Sequence, residues 1–422
     1  MRGWKHRFGR FLAVAGLVVI TGATLIPLPQ QSAAAAATPL WCLVCGEYGG
    51  VDVLNNVLLF MPLGVGLRLV GLPTSRVVLL STSLSLGIEL LQLTAITGRD
   101  ASLSDLLTNS VGSWGGAMAG KHLAQLLFPK PEDAVFLALA GGLAWLGVQA
   151  TTAVLLRPWA PDEIRGGAWA RAIPGRTPFD GKVTVAAVSG VAIPNKLTPV
   201  PQLVPSVRGG DVRLEVRLLS GTRAAVWSPI VEVLGPRGSV LSLEAVRRDL
   251  AFQPPMRSSR LRLRRPALRL GEALPSTSGV PLQVTARAGG DTMSSSWSVA
   301  GGPVFRSLQV LGPSLGWSLI TPVRYAFGPE ARWVTGVWIA GWLAAITYWS
   351  AAPRARDLVT ASSLMLLLFA GLAMVPAVLG YPPSHWSEWL AGVTGGLIGY
   401  AGHHFAAYLG QRCDSRSIRE SC

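Results

Sequence analysis

Long, almost uncharged apolar runs restrict what this chain can fold into more than any other feature. Phe11–Ile26, Val77–Ile96, Ala134–Leu156, Trp333–Trp349 and Leu358–Leu379 approach or reach the roughly 20 residues needed to cross bilayer hydrocarbon. Soluble core helices are shorter and amphipathic. Half of the 422 residues are hydrophobic and 14% are charged, a balance too apolar for a soluble chain of this length. The sequence therefore predicts an all-α polytopic membrane domain of about eight transmembrane helices. They fall near residues 11–27, 53–72, 77–97, 105–127, 134–156, 331–350, 357–379 and 387–410.

Charge placement predicts orientation, because short cytoplasmic loops collect Lys and Arg. Arg2, Lys5, Arg7 and Arg10, then Arg68 and Arg76, Lys121 and Lys130, Arg354 and Arg356, and Arg412, Arg416 and Arg419 share one side if the chain crosses eight times. Opposite them, Leu28–Asp52 has no Lys or Arg. Both termini are thus expected in the cytoplasm of a bacterial plasma membrane. Phe11–Ile26, with basic residues before it and Ala33–Ala37 after it, also resembles a cleavable signal peptide; the later spans keep their orientation either way.

Cys42 and Cys45 lie in the first external loop, where an oxidising compartment could join them, whereas Cys413 and Cys422 fall in the cytoplasmic tail. A zinc site would need two more ligands, which no nearby residue supplies. His385 and the pair His403 and His404 also lack a third ligand at workable spacing. No metal and no cofactor is expected.

Between the fifth and sixth spans the pattern changes. Pro and Gly recur every few residues, separating short β-favouring runs at Val183–Val188, Val212–Leu219, Ile230–Leu234 and Val240–Leu243. This predicts an inserted all-β sandwich over about residues 160–315, outside the membrane. In Arg260-Leu261-Arg262-Leu263-Arg264 the alternation reads as a strand with arginines on one face. Arg165–Val310 holds twenty Lys/Arg against eight Asp/Glu, a balance of +12 within a whole-chain charge of +15. Such a domain would attract anionic headgroups or anionic cell-wall polymers, or simply rest on its own membrane's lipids; nucleic acid is not an expected partner.

Polar residues concentrate within 52–116. Asp52, Asn55 and Asn56 lead into the second span, where Pro62 removes a backbone donor and predicts a kink, and Gly64 lets a neighbour approach. Glu89 and Gln92 share a face of the third span; Arg99 follows in a loop; Asp105 and Asn109 share a face of the fourth with Gly112 and Gly116. Such groups at membrane depth face protein or water rather than lipid. Each also has a structural reading: Asp105 with Ser102 as a helix cap, Arg99 as a headgroup anchor, Glu89 and Gln92 as helix cross-links. Glu388, Gly392 and Gly395 repeat the offsets of Asp105, Asn109 and Gly112, which points to a degenerate internal repeat.

The runs Asn56-Val-Leu-Leu-Phe60-Met-Pro62-Leu-Gly64, Glu89-Leu-Leu-Gln92, Gly98-Arg99 and Asp105-Leu-Leu-Thr-Asn109-Ser-Val-Gly112, with Thr24-Leu-Ile-Pro27 ending the first span, closely resemble the VanZ-like family of membrane proteins. The resemblance covers roughly residues 10–127. It implies a VanZ-like membrane domain over 1–156, a role in the cell envelope connected with resistance to teicoplanin-type glycopeptides, and no defined reaction. It also implies Asn56, Glu89, Gln92, Arg99, Asp105 and Asn109 as the ligand-binding polar set, with Phe60, Pro62, Gly64 and Gly112 as structural positions. Some VanZ-like proteins carry a lectin- or glucanase-like sandwich before their last spans, and the inserted segment resembles that (LamG-like) domain. Three spans over 330–411 and a tail over 412–422 complete the expected organisation.

A retaining glucanase needs paired carboxylates about 5 Å apart, and Glu215, Glu232 and Glu244 stand alone, which predicts a binding or structural sandwich. Engagement of a cell-wall or lipid-linked glycan through the polar set is the leading expectation. The alternatives are an enzyme acting on a lipid-linked precursor, with Glu89 or Asp105 as base, and a transporter or flippase. A carrier would bind near mid-depth.

Overall fold

The computed structural model describes residues 2–26, 41–44, 46–96, 101–159, 161–169, 179–208, 210–221, 224–351 and 357–419. Cys45 and Arg99 therefore lie outside the described residues. The helices are α1 (Arg2–Leu25), α2 (Gly49–Leu69), α3 (Thr74–Thr94), α4 (Leu103–Lys121), α5 (Leu123–Leu127), α6 (Pro131–Leu155), α7 (Leu203–Arg208), α8 (Gly316–Ile320), α9 (Ala331–Ser350), α10 (Asp357–Phe369), α11 (Val375–Val378) and α12 (Trp386–Arg419). The strands are β1 (Gly166–Trp169), β2 (Lys182–Val188), β3 (Val191–Ala192), β4 (Asp211–Leu219), β5 (Ala224–Gly235), β6 (Gly238–Arg247), β7 (Asp249–Gln253), β8 (Ala267–Leu270), β9 (Pro281–Gly289), β10 (Thr292–Val299), β11 (Val304–Val310) and β12 (Ala326–Phe327).

Two compact units result. The first holds α1–α4 and the whole β-region; the second holds α5, α6, residues 311–317 and everything from Pro329 on. Among the described residues, five helical segments are long and apolar enough to cross a membrane: Trp4–Leu25, Gly49–Leu69, Thr74–Thr94, Pro131–Leu155 and Thr360–Val378. Of the other long helices, α4 is diluted by Gly, Ser and Asn, and α9 carries four tryptophans.

In the first unit, α2 packs between α1 and α4. Ile20, Phe60, Leu63 and Ile88 form its buried core. Contact with α4 runs along glycines: a side chain added at Gly64 would strike the Ser113 backbone, one at Gly112 that of Val57, and one at Gly116 that of Met61. Small residues let helix backbones touch where no aqueous hydrophobic force drives association. Pro62 lies on the exposed side of α2, which continues through it to Leu69.

The β-region is a sandwich of two six-stranded sheets, ordered β1-β5-β6-β7-β8-β12 and β11-β10-β9-β4-β2-β3. Pairing is antiparallel except for β8 with β12. In β4 the period of two is plain, with Val212, Leu214, Val216 and Leu218 buried; β9 answers with Leu282, Val284, Ala286 and Ala288. By contrast β6 is buried along nearly its whole length, so its sheet is covered on both faces.

Arg260–Arg264 is not a strand. Arg257–Leu261 is a 3₁₀ turn, and Arg262 is left-handed at φ 53°. The alternating arginines reach around another segment of chain instead of lining a pleat.

The second unit reproduces the helical packing of the first. A single constant offset in numbering carries Val57 to Ala340, Met61 to Ala344, Gly112 to Gly395 and Gly116 to Gly399, and the same close backbone contacts recur: Gly395 on Ala340, Gly399 on Ala344. That offset also carries core residues Phe60 and Leu63 to core residues Leu343 and Ile346, and the start of α4 at Leu103 to the start of α12 at Trp386. A different shift relates the first helices: Gly16 packs on Leu63 as Gly141 packs on Ile346, and Ile20 corresponds to Trp145. The change of shift is the β-sandwich, inserted after α6 where the first copy has its loop between α1 and α2.

The helix equivalent to α3 is α10, a π turn at Ala370–Met374, and α11. Pro376 explains the wide turn. Proline cannot donate to the carbonyl four residues back and its ring crowds that group. Leu372 O is taken instead by the Ser384 N–H at 3.1 Å.

Candidate functional site

The polar residues of α2–α4 meet at one end of the first bundle, and each bond joins two segments. Helices α3 and α4 are consecutive, so the C-terminal turns of α3 lie level with the start of α4. There Glu89 Oε2 accepts the Ser102 N–H at 2.6 Å, while Ser102 Oγ accepts from the Ser104 N–H and so caps α4. Asp105 Oδ1 accepts from Asn56 Nδ2 at 2.9 Å, joining α4 to α2. Asp105 also lies within electrostatic reach of Glu89, so two carboxylates share the mouth of the bundle.

One turn deeper, Asn109 Nδ2 donates to Ser85 Oγ at 2.9 Å and Ser110 bonds Thr82 at 2.7 Å. On the other side, Gln92 Nε2 donates to Thr24 O at the end of α1. Glu89, Gln92 and Asn109 are buried, yet among the described residues Gln92 Oε1 and Asn109 Oδ1 have no hydrogen-bond partner. Buried acceptors left open are costly and call for an explanation such as a water or a ligand donor. Five of the six polar residues are thus gathered in one bundle; Arg99 lies outside the described residues.

The partners that complete this cluster include backbone groups, Thr24 O and Ser102 N, which no residue type announces. Ser85 looks ordinary in sequence beside the carboxylates, whereas Ser102 reads there as a cap of α4, the bond its hydroxyl makes. Ser104 Oγ donates to Leu43 O at 2.6 Å, tying the start of α4 to the segment before α2. Cys42 in that segment is disulfide-bonded.

A second, more ionic feature escaped sequence reasoning. Residues 43–44 and 46–50 form a strap over the β1–β12 sheet. Arg262 donates to Val44 O, Arg265 pairs with Glu47 at 3.0 Å, the Arg264 guanidinium lies 4.2 Å from the Tyr48 ring centre, and Gly50 abuts Leu261 O. Beneath the strap is a buried polar layer. Glu244, 3% exposed, pairs with Arg324 at 2.7 Å and accepts from Ser242; Arg265 is bonded by Gln253 Oε1 and Val240 O. Burial opposes the Arg324 charge, but Glu244, with Tyr48 and Glu47, outweighs it and holds the guanidinium above its ordinary range. Arg264 is shifted down by burial, against the pull of Tyr48, Asp52 and Glu47.

Glu215 pairs with Arg213 on the sheet surface, and Glu244 belongs to the buried layer. Glu232 stands opposite Ser242 in the neighbouring strand β5, on the buried sheet face that also carries Glu244. Among the described residues no three His, Cys, Asp or Glu side chains are placed to hold a metal ion.

Fold and site together define a class: an apolar helical bundle of the membrane type with polar groups gathered at one end, joined to a β-sandwich. Residues 11–125 match the sequence model of the VanZ/LLP1 family, which assigns that first bundle a VanZ-like domain. No curated protein and no solved structure gives a significant match to the chain.

Proposed function

We propose that this chain is a multi-pass protein of the bacterial plasma membrane that engages a cell-wall or lipid-linked glycan through the Asn56, Glu89, Gln92, Arg99, Asp105 and Asn109 cluster, contributing to teicoplanin-type glycopeptide resistance. It crosses the bilayer about eight times, with both termini in the cytoplasm and the β-sandwich, lectin-like in role, outside. Two observations support the sidedness. Lys and Arg favour the opposite ends of the helices, and the strap before α2 touches the β-sandwich at the end of α2 that carries Asn56. The basic sandwich would add affinity for anionic lipid headgroups and wall polymers.

One observation carries the glycan reading. Two carboxylates share the mouth of the bundle, and two buried amide oxygens of the same bundle, Gln92 Oε1 and Asn109 Oδ1, have no hydrogen-bond partner among the described residues. Acceptors in that number suit a ligand rich in hydroxyl and N–H donors.

Asp105→Asn tests this. Asparagine can still accept from Asn56, so helix packing survives while the charge is lost. We expect cells expressing it to lose the teicoplanin phenotype at normal membrane abundance, and native mass spectrometry to show loss of a co-purifying lipid or glycan. An unchanged phenotype and adduct would refute the reading; parallel loss of abundance would reduce the cluster to helix cross-links.

A further inference from the structure

Outside the helical cluster, the first unit holds an open cleft of about 370 Å³ between the strap and the sandwich. That volume lies in the range of small-molecule sites, about 300–1,000 Å³. Its apolar lining comes from Trp159, Pro161, Pro236 and Leu263. The Arg260 guanidinium stands 5.7 Å from the Trp159 ring centre. The lining also holds carboxylates at Glu47, Asp162 and Glu163, arginines at Arg237, Arg260 and Arg265, and the hydroxyls of Ser239 and Ser259; Glu47 pairs with Arg265 and Asp162 with Arg208.

The charges are balanced, and that selects the ligand. An anion would gain at the arginines what it lost at the carboxylates, and a cation the reverse. A neutral, polyhydroxylated ring can donate to the carboxylates and accept from the arginines at once, with its C–H face against Trp159 and Leu263. We propose that this cleft is a saccharide-binding site, separate from the helical cluster. Glu47 and Tyr48 line it directly before α2 begins, so a bound sugar lies at the end of the bundle that carries Asp105. The proposal extends the glycan reading above but rests on different residues.

The test uses the full-length protein in lipid nanodiscs, with both faces accessible. The probes are a soluble N-acetylglucosamine tetramer, the same oligosaccharide on a polyprenyl diphosphate embedded in the disc, and a peptide of mixed charge. Saturable binding of the oligosaccharide is expected, weakened about tenfold or more by Trp159→Ala and by Glu163→Gln. Equal affinity for both forms assigns wall glycan as the source; preference for the anchored form assigns a lipid-linked one. No saturable saccharide binding, unchanged affinity in both variants, or binding of the peptide alone overturns the proposal. If Trp159→Ala misfolds, Glu163→Gln and Arg237→Ala decide, since both side chains are exposed. Binding that persists in Asp105→Asn belongs to the cleft; binding lost there but intact in the cleft variants belongs to the helical cluster, and the cleft proposal fails.

Discussion

Gly116→Val is expected to remove most of the folded protein from the membrane. The new side chain would meet the Met61 backbone, carbonyl included, rather than the movable tip of a neighbour. Over-packing costs about 1–3 kcal/mol where side chains can adjust; two backbones in contact have little to adjust, so the cost should reach or exceed the top of that range. Separating α2 from α4 would also lengthen the Asn56–Asp105 bond, now 2.9 Å. Gly115→Ala, on the same helix with open space around its position, should be neutral or gain up to about 1 kcal/mol. Detergent-solubilised yield and thermal melting of the two variants check the contrast. Similar behaviour of both would mean that α2 and α4 do not pack through glycine.

Arg324→Met should destabilise the β-sandwich by about 3–5 kcal/mol, because it leaves the buried Glu244 carboxylate without its counter-charge. The pair is well shielded, with side chains 17% and 3% exposed. Adding Glu244→Gln should restore a large part of the loss, since glutamine can keep the Ser242 bond without a charge to bury. Thermal melting of the wild type, both single variants and the double variant measures the coupling. Additive losses would show that Arg324 and Glu244 do not depend on one another.

How much of this could be read from sequence differed by element, for physical reasons. A long apolar run is the plainest trace a helix can leave, and α1, α2, α3 and α6 each carry one. β4 could be read because one face is wet and one dry. β6 could not be recognised by alternation, since its polar positions Ser242 and Glu244 are buried in a charge-paired layer. The same period of two misled at Arg260–Arg264, where it serves to grip a strap.

In the candidate site, Glu89, Asp105 and Asn109 stood out because oily helices rarely carry such groups. Their bonding did not, because Thr24, Ser102 and Leu43 take part through main-chain atoms. The clamp formed by Arg264, Arg265 and Tyr48 joins positions more than 200 residues apart, a distance that no local pattern spans.

The copied helical bundle gives the chain an internal reference. In the second copy Leu372, Val375 and Gly392 stand where the first has Glu89, Gln92 and Asn109. Whatever the first copy recognises, its twin supplies a nearly matched frame in which three of the polar side chains are replaced, while Glu388, at the position of Asp105, keeps a carboxylate that accepts from Ser314 Oγ at 2.6 Å. Restoring those three by Leu372→Glu, Val375→Gln and Gly392→Asn asks whether recognition resides in the side chains alone, a question that usually requires a second protein.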